Sequence, residues 1–382
     1  MSIWDSLVGQ RPVVAALQAA VSGRGMTHSW LFTGPPGSGR SNAAMAFAAA
    51  LQCPDGGCGT CHACHTAVAG SHPDITVVRT DKLSIGVDEV RELVRRSALA
   101  PVGSGHQVMV VEDADRLTDQ ACNALLKAIE EPTERTVWLL CAPTVEDILP
   151  TIRSRCRLVG LTTPTTQEVT DHLVRTEGVT EALAAYSARA SQGHIGRAKA
   201  LARDEATRNR RREVVSMPAR LTSLGACLNA ALNLHDATLE EAEHITGELD
   251  LREKADLDAS YGVVERGRRP RDYAPALAAL QRSQKTRAKR RHLDVVDRGL
   301  MDLASVYRDA ITLAMQAGTG LVNEEMRGEI SELARVSSPE GHLRRIDAIF
   351  TAREQMLEFN VPPMLALESM MLALRVPRRS VG

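Results

Sequence analysis

The chain has 382 residues, 44% hydrophobic and 24% charged, which is more than one ordinary core needs and points to two or three domains. A net charge of −1 excludes a global basic field for nucleic acid, and an aromatic content of 3% argues against base-stacking platforms. The opening Met1-Ser2-Ile3-Trp4-Asp5 has no basic or apolar leader region, and no apolar run approaches the ~18 residues of a membrane span. A cytoplasmic protein without a membrane partner is therefore expected, with its eight cysteines as thiols or metal ligands.

The first expected elements are an amphipathic helix over residues 12–21 and a buried strand at Trp30-Leu31-Phe32. The strand runs into Gly34-Pro35-Pro36-Gly37-Ser38-Gly39-Arg40-Ser41, followed by a small-residue helix over residues 42–51. Strand, glycine loop and helix start make a phosphate cradle. Gly34, Gly37 and Gly39 let backbone N–H groups turn inward on an anion, and the helix points its positive end at the same spot. The P-loop pattern fits at every position but one, where Arg40 replaces lysine. Lysine is a compact point charge that folds over terminal phosphates, whereas guanidinium is broad and planar. Ser41 still offers a hydroxyl to magnesium. Two readings stay open: the loop docks ATP or ADP, or it persists as a packed turn that binds nothing.

Cys53, Cys58, Cys61 and Cys64 fall within twelve residues, forming two C-x-x-C turns that share Cys61 plus one further thiol. That spacing suits a tetrahedral four-sulfur Zn²⁺ site, closed to water and hence structural, with His62 and His65 as substitute ligands. The plainer reading is four reduced surface thiols. Residues 75–78 read as a buried strand, residues 87–98 as an amphipathic helix, and residues 108–111 as a central strand ending in Glu112-Asp113. Acids at a buried strand's carboxyl end suit a doubly wound sheet, where ligands sit at that edge. Active ATPases place aspartate before glutamate here. Reversal of the two displaces a carboxylate by about 1.5 Å, and ~1 Å of misplacement can cost two decades in rate. An ordinary solvated strand end is the alternative.

A helix over residues 117–131, Leu-Thr-Asp-Gln-Ala-Cys-Asn-Ala-Leu-Leu-Lys-Ala-Ile-Glu-Glu, stops at Pro132. A buried strand over residues 137–141 follows, then Ile152-Arg153-Ser154-Arg155-Cys156-Arg157 and a strand over residues 158–161. The order of P-loop, cysteine insertion, acidic strand end, Ala-Leu-Leu-Lys-Ala-Ile-Glu-Glu-Pro helix and Ser-Arg-Cys resembles the clamp-loader ATPases of the AAA+ family. The likeness is dense over residues 3–161, looser to about residue 201, and returns faintly at residues 360–368. It implies a RecA-like α/β domain with a parallel sheet, a small helical lid and an all-α collar for ring assembly. It also implies that the middle arginine of Ser-Arg-Cys, Arg155, reaches a neighbour's ATP as an arginine finger, a role that Arg153 and Arg157 do not inherit. A surface salt bridge is the alternative for Arg155.

Residues 165–168, Thr-Thr-Gln-Glu, form a capping box that opens the expected lid. Arg197, after Gly193-His194-Ile195-Gly196, resembles the family's second nucleotide sensor, or is structural if the pocket is empty. The charge runs at residues 210–212, 266–271 and 285–291 read as solvated faces or a connector more than as a DNA contact, because acids are interleaved with them. Apolar residues recurring at three and four from Leu293 predict a long helix, followed by helices over residues 342–359 and after Pro363.

The expected layout is residues 1–162 as the RecA-like domain carrying the zinc knuckle at 53–64, residues 163–204 as the lid, and residues 205–382 as the collar, with 205–290 partly linker-like. Arg40 and the reversed Glu112-Asp113 favour a subunit that does not hydrolyse ATP itself over a hydrolysing gamma/tau-type one. The resemblance implies gamma/tau and delta subunits, the sliding clamp and primed DNA as partners. A zinc-dependent DNA-binding protein with a relic P-loop is a further reading from another class.

Overall fold

The apolar runs of the first half become five parallel strands, β1 (Ser29–Thr33), β2 (Ile75–Val78), β3 (Gln107–Val111), β4 (Thr136–Ala142) and β5 (Arg157–Gly160), in the order β2-β3-β4-β1-β5. The computed structural model describes residues 2–80, 84–103, 105–263, 270 and 272–375, so the basic run at 266–271 lies outside the described residues except for Pro270. The chain divides into two units, Met1–Arg203 and Asp204–Gly382.

In the first unit, β3 and β4 are buried along their whole lengths, which is why both are nearly continuous apolar runs. Their side chains alternate between two cores. Val108, Val110, Val137 and Leu139 join Trp30, Phe32 and Phe47 on one face, and Met109, Val111, Trp138 and Leu140 join Leu31 and Leu125 on the other. Helices α1 (Arg11–Val21), α2 (Arg40–Gln52) and α3 (His62–Val68) supply the first face. The second is covered by α4 (Val87–Ser97), α5 (Asp119–Glu130) and the short α6 (Pro150–Arg153).

Three further helices, α7 (Thr166–Glu177), α8 (Glu181–Ser191) and α9 (Ile195–Arg203), pack around Val169, Leu173, Ala184, Ala188 and Ala198. The capping box is formed in full: Thr165 Oγ1 accepts from the Glu168 N–H, and the Glu168 carboxylate accepts from the Thr165 N–H at 2.9 Å. Buried Gln10 joins the chain entry to the start of this layer, its Nε2 donating to the Thr162 carbonyl at 2.6 Å.

The second unit is helical: α10 (Glu205–Ser216), α11 (Leu224–Ser260), α12 (Tyr273–Ala314), α13 (Arg327–Val336), α14 (Pro339–Leu357) and α15 (Pro363–Leu374). Leu234, Val296, Leu300, Leu303, Tyr307, Ile349, Leu367 and Met371 fill its core. Among the described residues of 205–290 lie α10, all of α11 and the first part of α12, which starts twenty residues before the expected Leu293. No helix among the described residues is long and apolar enough to cross a membrane.

Two members of the charge runs turn inward rather than facing solvent. Arg211 is only 4% exposed; its Nε meets Asp302 at 3.1 Å and its Nη2 donates to the Asn323 side chain. Asn323 in turn donates to Ser305 and to Asp309, and Asp309 accepts the backbone N–H groups of Val322 and Asn323. Arg287 lies between Asp250 and Glu253, both at 2.5 Å. Removing one partner of a buried pair leaves the other charge unanswered, so Arg211→Ala is expected to destabilise the second unit by about 3–5 kcal/mol. Chemical denaturation followed by helix signal checks this, and a loss below ~0.5 kcal/mol would contradict it.

Candidate functional site

The glycine loop sits where β1 ends and α2 begins, and two contacts occupy it. Gly39, at φ +92°, caps α2 in the left-handed region. Gly37, at φ +85°, lies so close to His194 that a Cβ there would come within 2.5 Å of that side chain, so glycine is what lets the start of α9 close over the loop. Arg40 folds back: its Nη1 donates to the Gly34 carbonyl at 2.7 Å. The guanidinium is therefore engaged with the loop's own backbone. Ser38 is buried with its Oγ unpartnered, and Ser41 is half-buried in the first turn of α2.

Glu112 and Asp113 follow β3 at the same edge of the sheet. One Glu112 oxygen meets Arg79 at 2.8 Å while the other is buried without a hydrogen bond. Asp113 caps the short turn Ala114–Arg116. Burial, aided by Asp113, holds the Asp115 carboxyl above the usual carboxylate range, with Arg40 opposing. Burial also raises the Cys141 thiol on β4, with Glu112 adding to the effect and Arg40 again opposing. The charges of Arg40, Glu112 and Asp113 all act on the Cys141 thiol. Arg197 is half-buried in the first turn of α9, and its N–H donates to the His194 ring at 3.2 Å.

Arg155 is elsewhere on the unit, just after α6. Its side chain is 38% exposed, with Nη2 at 2.5 Å from Glu130 at the end of α5 and Nη1 donating to the Thr151 carbonyl at 2.6 Å. Arg157 lies 4.8 Å over the Trp30 ring and donates to the Gly25 carbonyl.

The four cysteines come together: the sulfurs of Cys53, Cys58, Cys61 and Cys64 all lie within 4.8 Å of one another. Cys53 is 3.6 Å from Cys58 and 3.7 Å from Cys61. Zn–S bonds of ~2.3 Å in a tetrahedron require sulfurs about 3.8 Å apart, so the donor set fits zinc. Backbone N–H groups of Cys58, Gly59, Thr60 and Cys64 point at these sulfurs over 3.4 to 3.5 Å. Such bonds favour thiolate. The hydroxyl and N–H of Thr60 lower Cys58 to about 6, whereas burial pushes Cys64 up to about 12. A bound zinc would cross-link the loop after α2 to α3. Ser2, Ile3 and Trp4 fasten this loop from outside through the carbonyls of Gly56 and Gly57. Gly57, at φ +108°, has no room for a Cβ against Ile3 and Trp4.

Residues 9–165 match the family model of the DNA polymerase III delta subunit. Over these residues the chain is similar to DNA polymerase III subunits. The delta' subunit of Escherichia coli is 37% identical over 195 residues, covering 50% of this chain and 57% of that protein. The gamma/tau subunit of Mycobacterium tuberculosis is 39% identical over 154 residues, covering 39% of this chain and 27% of that one. A gamma-subunit-related crystal structure from Thermotoga maritima covers 94% of this chain and 98% of its own at 16% identity and a TM-score of 0.43. The chain thus spans 27% to 57% of the length of these two curated relatives.

Three residues that bear on the site escape sequence reasoning. His194 closes over Gly37, Arg79 holds Glu112 and Glu130 holds Arg155. Each contact joins residues more than twenty positions apart, so no local pattern announces it. The nearest signal is two glutamates at a helix C-terminus, where negative charge is locally unfavourable.

Proposed function

We propose that this chain is a cytoplasmic AAA+ stator subunit of a DNA polymerase III clamp loader. In this reading it assembles with gamma/tau-type and delta-type subunits, lends Arg155 to an adjacent subunit's ATP, and helps place the sliding clamp on primed DNA. It has no independent catalysis. Residues Gly34, Gly37, Gly39, Arg40, Ser41, Glu112, Asp113 and Arg197 line a degenerate ATP or ADP site. Cys53, Cys58, Cys61 and Cys64 hold a structural zinc.

The supporting observation is an asymmetry between two cations. Arg40, the residue that would serve this chain's own nucleotide, is bonded to the loop carbonyl of Gly34, while Arg155 stands at the surface, its side chain 38% exposed and paired with the exposed Glu130. His194 on Gly37 and Arg79 on Glu112 add to the first half of that contrast. The DNA-binding zinc protein is disfavoured because Cys53 and Cys64 are buried among Ile3, Trp4 and Ala67, which suits a clip on the core better than a presented finger.

The isolated chain is expected to turn over ATP no faster than its Ser41→Ala variant. Robust turnover that Ser41→Ala abolishes would favour a hydrolysing gamma/tau-type subunit instead. Within an assembled loader, Arg155→Ala is the deciding substitution.

A further inference from the structure

We infer that Glu130 is the positioning residue for Arg155, fixing the plane of the guanidinium before a neighbour's triphosphate arrives. This rests on the reading of Arg155 as a donated arginine. The Glu130 carboxylate sits at the C-terminal end of α5, where the helix dipole already concentrates negative charge. That placement is unfavourable for the helix alone and is answered by the Arg155 guanidinium at 2.5 Å. The second anchor comes from another element: Nη1 bonds the Thr151 carbonyl of α6 at 2.6 Å and reaches Ser154 Oγ at 3.3 Å. Two anchors on different nitrogens define a plane, which a single contact on a long flexible side chain does not.

What the anchors leave free matters as much. Guanidinium carries five N–H groups. The hydrogen bonds to Thr151 and Ser154 engage Nη1, and the ion pair with Glu130 sits against Nη2. Nε–H takes part in none of these contacts and stays available to phosphate oxygens. The side chains of Arg155 and Glu130 are 38% and 43% exposed, so the pair adds little to folding stability and its effect belongs in a rate.

The test uses the complete loader with this chain carrying Glu130→Ala, Glu130→Gln, Arg155→Ala, or Glu130→Ala with Arg155→Ala, reading kcat and KM for DNA-stimulated ATP hydrolysis at the site served by Arg155. Glu130→Ala is expected to lower kcat about tenfold with KM unchanged, within the two decades that ~1 Å of misplacement costs. Glu130→Gln keeps an acceptor in the same place and should retain most of the rate. The double variant should match Arg155→Ala alone, because a guide has nothing left to guide. An unchanged or faster Glu130→Ala loader overturns the inference, as does a double variant slower than Arg155→Ala. If Arg155→Ala itself has no effect, the finger assignment has failed first.

Discussion

A loader in which this chain carries Arg155→Ala is expected to lose about 10³ to 10⁵ in turnover at the neighbouring ATP. That is ~4 to 7 kcal/mol at 1.36 kcal/mol per decade. The size follows from where the charge acts: an in-trans guanidinium meets negative charge developing on the transferring phosphoryl group, in a site that water has left. Arg155→Lys should recover little, because an ammonium lacks the planar fork. Folding should be almost untouched, since the partners the arginine loses, Glu130 and Thr151, lie in an exposed region. Single-turnover hydrolysis at that site separates the effect from sites that do not face Arg155. Stimulated ATPase and clamp loading equal to those of the unmodified loader would remove the basis for the stator reading.

Removing the proposed zinc is the second large expected effect. Cys53 and Cys64 belong to the same core as Ile3, Trp4, Phe47 and Ala67, so loss of zinc would expose a wall of the first unit as well as a loop. A ligand present at a thousand times its Kd stabilises by about 4 kcal/mol. For a unit of this size each kcal/mol shifts Tm by ~2 to 4 °C. Chelation, or Cys64→Ser, should therefore lower the Tm of the first unit by about 8 to 16 °C, and purified protein should carry one zinc per chain by metal analysis. Zinc-free protein with an unchanged Tm would contradict the assignment.

The parallel sheet was legible because its strands are continuous apolar runs, and the boundaries of β2 and α4 follow the sequence closely. The capping box behaved likewise: Thr165 and Glu168 act within four residues of chain, where sequence carries the information. The cysteine spacing was equally local. What stayed hidden was pairing at long range. Arg211 reads as one of three consecutive arginines, and nothing nearby distinguishes it from its neighbours as the one that meets Asp302, ninety-one positions away. The Arg287 side chain needs Asp250 and Glu253 from the opposite helix of a hairpin before it has any reason to turn inward. Even Arg40, visible as an exception to a pattern, gave no hint that it would reach Gly34.

The hairpin of α11 and α12 also has a consequence for how the second unit comes apart. Fully buried side chains on α11 end at Thr246, and on α12 they are missing between Tyr273 and His292. Beyond those points the two helices are fastened to each other by Arg287, Gln284 and the Tyr273 hydroxyl on Asp258. Rods about 55 and 63 Å long at 1.5 Å per residue therefore share one melting domain with the bundle only near its base. Their outer turns, held by ion pairs and hydrogen bonds rather than by buried side chains, are expected to open at a lower free energy than the bundle core.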